Sequence, residues 1–187
     1  MAAQRASDSG AGKPSVRAPL KASDKRLGLG TMKLSLQTLR ALQYAEGYLA
    51  LGMKREAAEA LAEMVAGENE TLPALAMRAA VFHELGDWPR AAEAATLLCE
   101  RSPEDARHWI QRAYAVRRAS NIEDARGVLL EAMERHPEEA IIRFNLACYE
   151  AQLGRLAEAR EFLAEACRLN PDCVDMANTD PDLEPLR

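Results

Sequence analysis

Aromatic side chains are scarce, only 5% of the 187 residues, which argues against a β-sandwich core. No apolar run approaches the roughly 18–20 residues that cross a bilayer, so no membrane partner is expected. The opening residues also lack the apolar stretch of a secretory signal, and the expectation is a cytoplasmic chain. Cysteine is limited to Cys99, Cys148, Cys167 and Cys173, with no CxxC and no matching histidine spacing. A zinc site is therefore not expected, and the thiols read as reduced, small hydrophobic side chains. A Cys167–Cys173 disulfide would need an oxidising compartment, which is not favoured. The histidines His83, His108 and His136 fit no HExxH pattern, and GxSxG and Walker loops are missing. Gly28-Leu29-Gly30 offers two glycines of a phosphate loop, but Lys33 stands where the third belongs and no strand precedes it. No catalytic residue, metal or cofactor is expected, and an enzyme is not. A net charge of −5 and a pI near 5.4 speak against nucleic acid as the main partner.

What the chain has in abundance is alanine, 36 residues, within a mixture of 48% hydrophobic and 28% charged residues. That balance suits a folded domain or a short repeat array. Residues 1–36 stand apart. They hold seven basic residues against two acids, a charge of +5, and leave −10 for the remainder. Rich in Ala, Ser, Gly, Lys and Pro, this stretch buries too little apolar surface to offset its ordering entropy and is expected to be a disordered basic tail. A transit peptide and a start at Met32 are the alternatives.

From residue 37 onward a period of 34 emerges. Gly52, Gly86 and Gly154 lie on it, with Ser120 in the missing slot. Two alanine columns keep the same period: Ala45, Ala79, Ala113 and Ala147 before the turns, and Ala57, Ala91, Ala125 and Ala159 after them. Pro103, Pro137 and Pro171 form a further column. Each period reads as helix A, a glycine turn in the left-handed conformation, and helix B. The alanine columns let the two helices approach closely. Asp87 and Asn121 are N-cap signals for helix B, and Ser102-Pro103 and Asn170-Pro171 are expected to start the following helices. Each helix pair leaves one apolar face uncovered, so the pairs must stack.

The period, Gly-Asp-Trp-Pro-Arg-Ala-Ala at 86–92 and the closing Asn-Pro resemble the tetratricopeptide repeat. In that register the repeats run 38–71, 72–105, 106–139 and 140–173, within a domain spanning 37–173. Trp109 falls in the family's tryptophan column and Tyr48 and Phe82 in its tyrosine column. Arg78 and Arg112 depart from it, standing where the family has Leu, and the first repeat lacks the closing proline. The resemblance implies an all-α, right-handed superhelical solenoid of four helix-turn-helix repeats. Residues 174–187 follow as a C-terminal cap or tail, with Val174, Met176, Leu183 and Leu186 available to cover the last repeat.

The resemblance also implies that helix A of each repeat lines a concave groove. The groove candidates are Leu42, Met77, His83, Arg107, Ile110, Tyr114, Arg117, Arg118, Phe144, Asn145 and Cys148. Met77, Ile110 and Phe144 serve a core equally well. The third-repeat arginines suit an acidic side chain or a terminal carboxylate, since a guanidinium offers a bidentate fork. The carboxylate clamp that holds chaperone tails needs Lys and Asn where this chain has Leu42 and Glu46, and no other register supplies them. The expected function is a non-enzymatic scaffold or adaptor that binds a peptide segment of another protein. A secretion-type chaperone for an apolar partner and a self-associating structural protein are the alternatives.

Overall fold

A computed structural model of the chain describes residues 33–187. Most of the basic N-terminal segment, residues 1–32, lies outside the described residues. Four helix pairs follow one another: α1 (Leu36–Ala50) with α2 (Lys54–Ala62), α3 (Leu72–Leu85) with α4 (Trp88–Arg101), α5 (Ala106–Ala119) with α6 (Ile122–Arg135), and α7 (Ala140–Gln152) with α8 (Leu156–Leu169). A short α9 (Cys173–Thr179) and a 3-10 segment (Pro181–Leu186) close the array. No strand occurs among the described residues. The described residues form the all-α, right-handed solenoid of helix-turn-helix repeats that the resemblance implies.

The alanine columns explain the pairing. All eight alanines are buried, so only a methyl separates helix A from helix B. Gly52, Gly86 and Gly154 turn the chain between the two helices at φ 74°, 74° and 76°. Ser120 makes the equivalent turn at φ −129°, without the left-handed region. There Asp124 accepts hydrogen bonds from the Ser120 hydroxyl and the Asn121 amide, and these side chains do the work of a glycine. Asp87 and Asn121 cap helix B as expected, accepting from the N–H of Arg90 and of Asp124.

The helix starts after Ser102 and Asn170 differ from expectation. Ser102 and Asn170 end α4 and α8, and the next helices begin four and three residues later, at Ala106 and Cys173, behind Asp105 and Asp172. Pro103 lies in the intervening turn. Its carbonyl accepts the Trp109 indole N–H at 3.0 Å, which ties the proline column to the tryptophan column. The two arginines that replace leucine lay their planes near aromatic rings: Arg78 is 6.0 Å from the Phe82 centroid and Arg112 is 5.7 Å from Trp109.

Successive repeats join chiefly where each B helix packs on the following A helix, α2 on α3, α4 on α5 and α6 on α7. Helix α1 packs on α3 and α5 packs on α7, whereas no two B helices make comparable contact among the described residues. The A side therefore has the shorter circumference and is concave. The densest core lies in repeats three and four, around Trp109, Leu129, Ile142, Phe144 and Leu146. A charged network is built into it. Glu150 is 0% exposed, and its carboxylate accepts from Arg126 Nε at 2.5 Å and Arg155 Nη1 at 3.4 Å. Arg155 also reaches Glu123 at 2.5 Å, so the buried charge is satisfied from both neighbouring helices. At the C-terminal end Leu183 is buried, and Met176 and Leu186 pack against the same core, while Val174 stays exposed.

Candidate functional site

The concave side is built from α1, α3, α5 and α7, and the candidate residues divide sharply along it. Phe144 and Cys148 on α7 are buried in the repeat-four core. Leu42, Met77 and Ile110 are half-buried, each packed against a core cluster with part of its surface open. Tyr114, Arg117, Arg118 and Asn145 are also half-buried, and His83 and Arg107 are exposed.

The three arginines do not form a common patch. Arg107 turns back on its own helix start, with its guanidinium 2.6 Å from Asp105, the carboxylate that caps α5. Burial works against the Asp105 carboxylate, yet the hydrogen bonds from Arg107 prevail and hold its pKa below the ordinary value. Arg117 points the other way along the groove. It pairs with Asp182 of the 3-10 segment at 2.8 Å, and its guanidinium lies 5.0 Å from the Tyr149 ring centroid.

Arg118 belongs to a separate aromatic cluster at the repeat-two/three junction. Its guanidinium sits 5.5 Å from the Trp88 ring and 5.3 Å from the Tyr114 ring, and Nη2 donates to the Tyr114 hydroxyl at 3.3 Å. His83 closes the cluster, 5.4 Å from Trp88 and 5.2 Å from Tyr114. Gly86 ends α3 in the left-handed conformation, and Trp88 two residues later opens α4 beside His83; this turn builds the cluster. No carboxylate lies within ion-pair distance of Arg118 among the described residues. Stacking holds its plane while leaving N–H donors to offer.

Cys148 and Tyr149, near Asp182 and Arg117, are buried. Burial pushes the Tyr149 hydroxyl up to about 12. Burial raises the Cys148 thiol as well, and the nearby Asp180 and Asp182 charges add to it. Neither is poised as a nucleophile at neutral pH. Among the described residues no group of His, Cys, Asp or Glu could hold a metal ion, and no helix is long and apolar enough to cross a membrane.

Residues 110–172, spanning the third and fourth repeats, match the tetratricopeptide repeat family model. That stretch is similar to the tetratricopeptide repeat. Solved structures repeat the architecture. MamA from Desulfovibrio magneticus RS-1 superposes with a TM-score of 0.65 at 17% identity, covering 77% of this chain and 81% of that one. TTC0263, a thermophilic repeat protein of Thermus thermophilus, gives 0.56 at 19% identity over 80% of this chain and 86% of its own. Pseudomonas aeruginosa PilF gives 0.60 at 24% identity over 78% of this chain and 65% of its own. At these identities the likeness is one of fold. No curated protein matches the chain in sequence. Tetratricopeptide repeats are in general protein–protein interaction scaffolds, and the matched repeats fit that general role.

Sequence reasoning alone did not find Trp88 or Tyr149 as aromatic neighbours of the groove arginines. Both sit beside groove arginines, and the signal was there: an aromatic at the turn next to Gly86, and one following Cys148 on helix A.

Proposed function

We propose that the chain is a non-enzymatic adaptor whose concave face holds a peptide segment of a partner protein. The observation that carries this reading is Arg118, stacked on Trp88 and Tyr114 and without a carboxylate among the described residues. A preorganised guanidinium and, elsewhere on the A helices, the half-buried Ile110 and Met77 offer a polar anchor and apolar surface. Such a site binds without first ordering its own side chains. An extended segment and a helix both fit this surface, and an acidic side chain is the favoured contact for Arg118.

The test is capture from native lysate with wild type, Tyr114→Ala/Arg118→Glu, and Glu161→Ala on the opposite face, all of equal helicity. A prey kept by wild type and Glu161→Ala but lost with the double variant supports the reading. Identical prey for all three overturns it at this site. Self-association is a second reading, favoured by the exposed Leu36 and Tyr44 on α1, at 63% and 60% of their full surface. Light scattering that reports a dimer for wild type and a monomer for Tyr44→Ser would support that reading. The chaperone alternative predicts a partner that loses solubility without this chain.

A further inference from the structure

The closing segment, residues 180–187, does more than cover the last repeat. Capping needs only apolar contact, which Leu183 supplies at 1% exposure in the same core as Phe144 and Cys148. Asp182 makes side-chain-specific bonds in addition. Its carboxylate reaches past α7 to Arg117 on α5, 65 positions earlier in the chain, at 2.8 Å. Its carbonyl accepts from Gln152 Nε2 at 3.3 Å. The segment holds its own shape as an acidic turn. Asp180 accepts from the Asp182 N–H at 2.9 Å, and Arg187 donates to the Asp180 and Ala177 carbonyls. Arg117 and Gln152 stand on the A helices α5 and α7 and Cys148 is buried on α7, so the chain lays a peptide of Asp-Pro-Asp-Leu sequence across its own A helices.

We infer that Arg117, Cys148, Tyr149 and Gln152 form a subsite for acidic, proline-broken peptide segments, and that a partner segment carrying Asp-Pro-Asp-Leu docks there by displacing residues 180–187. The inference rests on the groove reading above and specifies its ligand. The chemistry is that of the occupant on the page: one carboxylate for Arg117, one backbone carbonyl for Gln152, one leucine for the pocket. Displacement is local, because Leu183, the partly buried Leu186, the Asp182–Arg117 ion pair and one Gln152 hydrogen bond hold a single short 3-10 segment in place. A partner segment that runs on past Arg117 toward Ile110 and Arg118 adds contacts that the chain's own segment does not make. The tethered segment competes at high effective concentration, so the apparent affinity of any free ligand falls by the fraction of time the subsite is closed.

The probe is a fluorescein-labelled peptide, Thr-Asp-Pro-Asp-Leu-Glu-Pro-Leu-Arg, titrated against the full chain by anisotropy. A second peptide carries Asn for the second Asp. Full-length Leu183→Ala, whose own segment is loosened, should bind the probe at least tenfold more tightly than wild type. Asp182→Asn, which leaves Leu183 in place, should gain at least threefold. Adding Arg117→Gln to either should remove the gain, and the Asn peptide should bind at least fivefold more weakly. In parallel, alkylation of Cys148 is read by mass spectrometry with Cys99 as reference. Cys148 should react faster in Leu183→Ala than in wild type and slow again with the peptide, while Cys99 stays unchanged. Equal affinity for wild type and both loosened variants would overturn the inference. Equal binding of the Asp and Asn peptides, or Cys148 and Cys99 accelerating together, would overturn it as well. Probe binding is read at Arg117 and lysate capture at Tyr114 and Arg118, so a failure here is distinct from a failure of the groove reading.

Discussion

The first and fourth repeats share one design and differ in how it is closed. Helix α2 runs nine residues before the chain leaves it at Glu63, whereas α8 runs fourteen. The first repeat has small buried side chains, chiefly Ala45, Ala57, Ala60 and Leu61, and shows Leu36, Leu39 and Tyr44 to the outside. The fourth packs Phe144, Leu146 and Tyr149 and is sealed by Leu183. In a stack, each repeat borrows stability from its neighbours, and a repeat with one neighbour and a short helix borrows least. The lesson is that a shared period does not imply shared stability: the closing residues decide it.

The largest expected effect comes from Phe144→Ala. Removing a fully buried ring should cost about 3–5 kcal/mol and lower the urea midpoint of the whole array. Leu61→Ala in the first repeat should instead produce an early fraying phase by circular dichroism. The fluorescence of Trp88 and Trp109, which lie in repeats two and three, should keep its midpoint. If Leu61→Ala moved both signals together, the contrast between the repeats would break.

A matched pair sharpens the comparison. Gly52 and Gly154 occupy equivalent turns at φ 74° and 76°, and a Cβ would touch nothing within 4 Å at either. Alanine at each therefore carries the same local strain, about 1 kcal/mol. Only Gly154→Ala should shift the tryptophan-monitored midpoint, because only the fourth repeat is coupled to the main core. Equal shifts would contradict the account.

The smallest effect expected is one of pH. Hydrogen bonds from the hydroxyls of Thr38 and Ser35 hold the Glu68 carboxyl below its ordinary value at the start of α1. The unfolded chain then binds the proton more tightly, so this contribution is present above the ordinary glutamate pKa and is lost as pH falls through the lowered one. Asp180 behaves oppositely: burial raises its pKa, and its penalty at neutral pH is relieved as pH falls. Protection of the α1 amides should therefore fall more than that of the α7 amides between pH 7 and pH 4. Equal losses at both helices would count against this assignment.

Much of this was legible in the sequence, for a local reason. The alanine columns, glycine turns and caps at Asp87 and Asn121 act within one repeat, where spacing alone fixes the partner. Ser102-Pro103 misled because serine before proline serves a turn as well as a helix start, and Asp105 proved the stronger cap. Long-range choices left no such trace. Glu150 sits at a buried position only because Arg126 and Arg155 converge on it. Arg117 read as open to a partner, yet Asp182 reaches it from the far end of the chain. Such pairings depend on how the superhelix brings distant repeats together, and no local pattern encodes that.

The contrast between the two ends is tested most directly by native-state hydrogen exchange resolved by residue. The account predicts that amides of α1 and α2 exchange at least tenfold faster than those of α7 and α8. It also predicts that residues 180–187 open apart from α7. A single common rate from α1 to the 3-10 segment would mean that the array unfolds as one unit, and would contradict it.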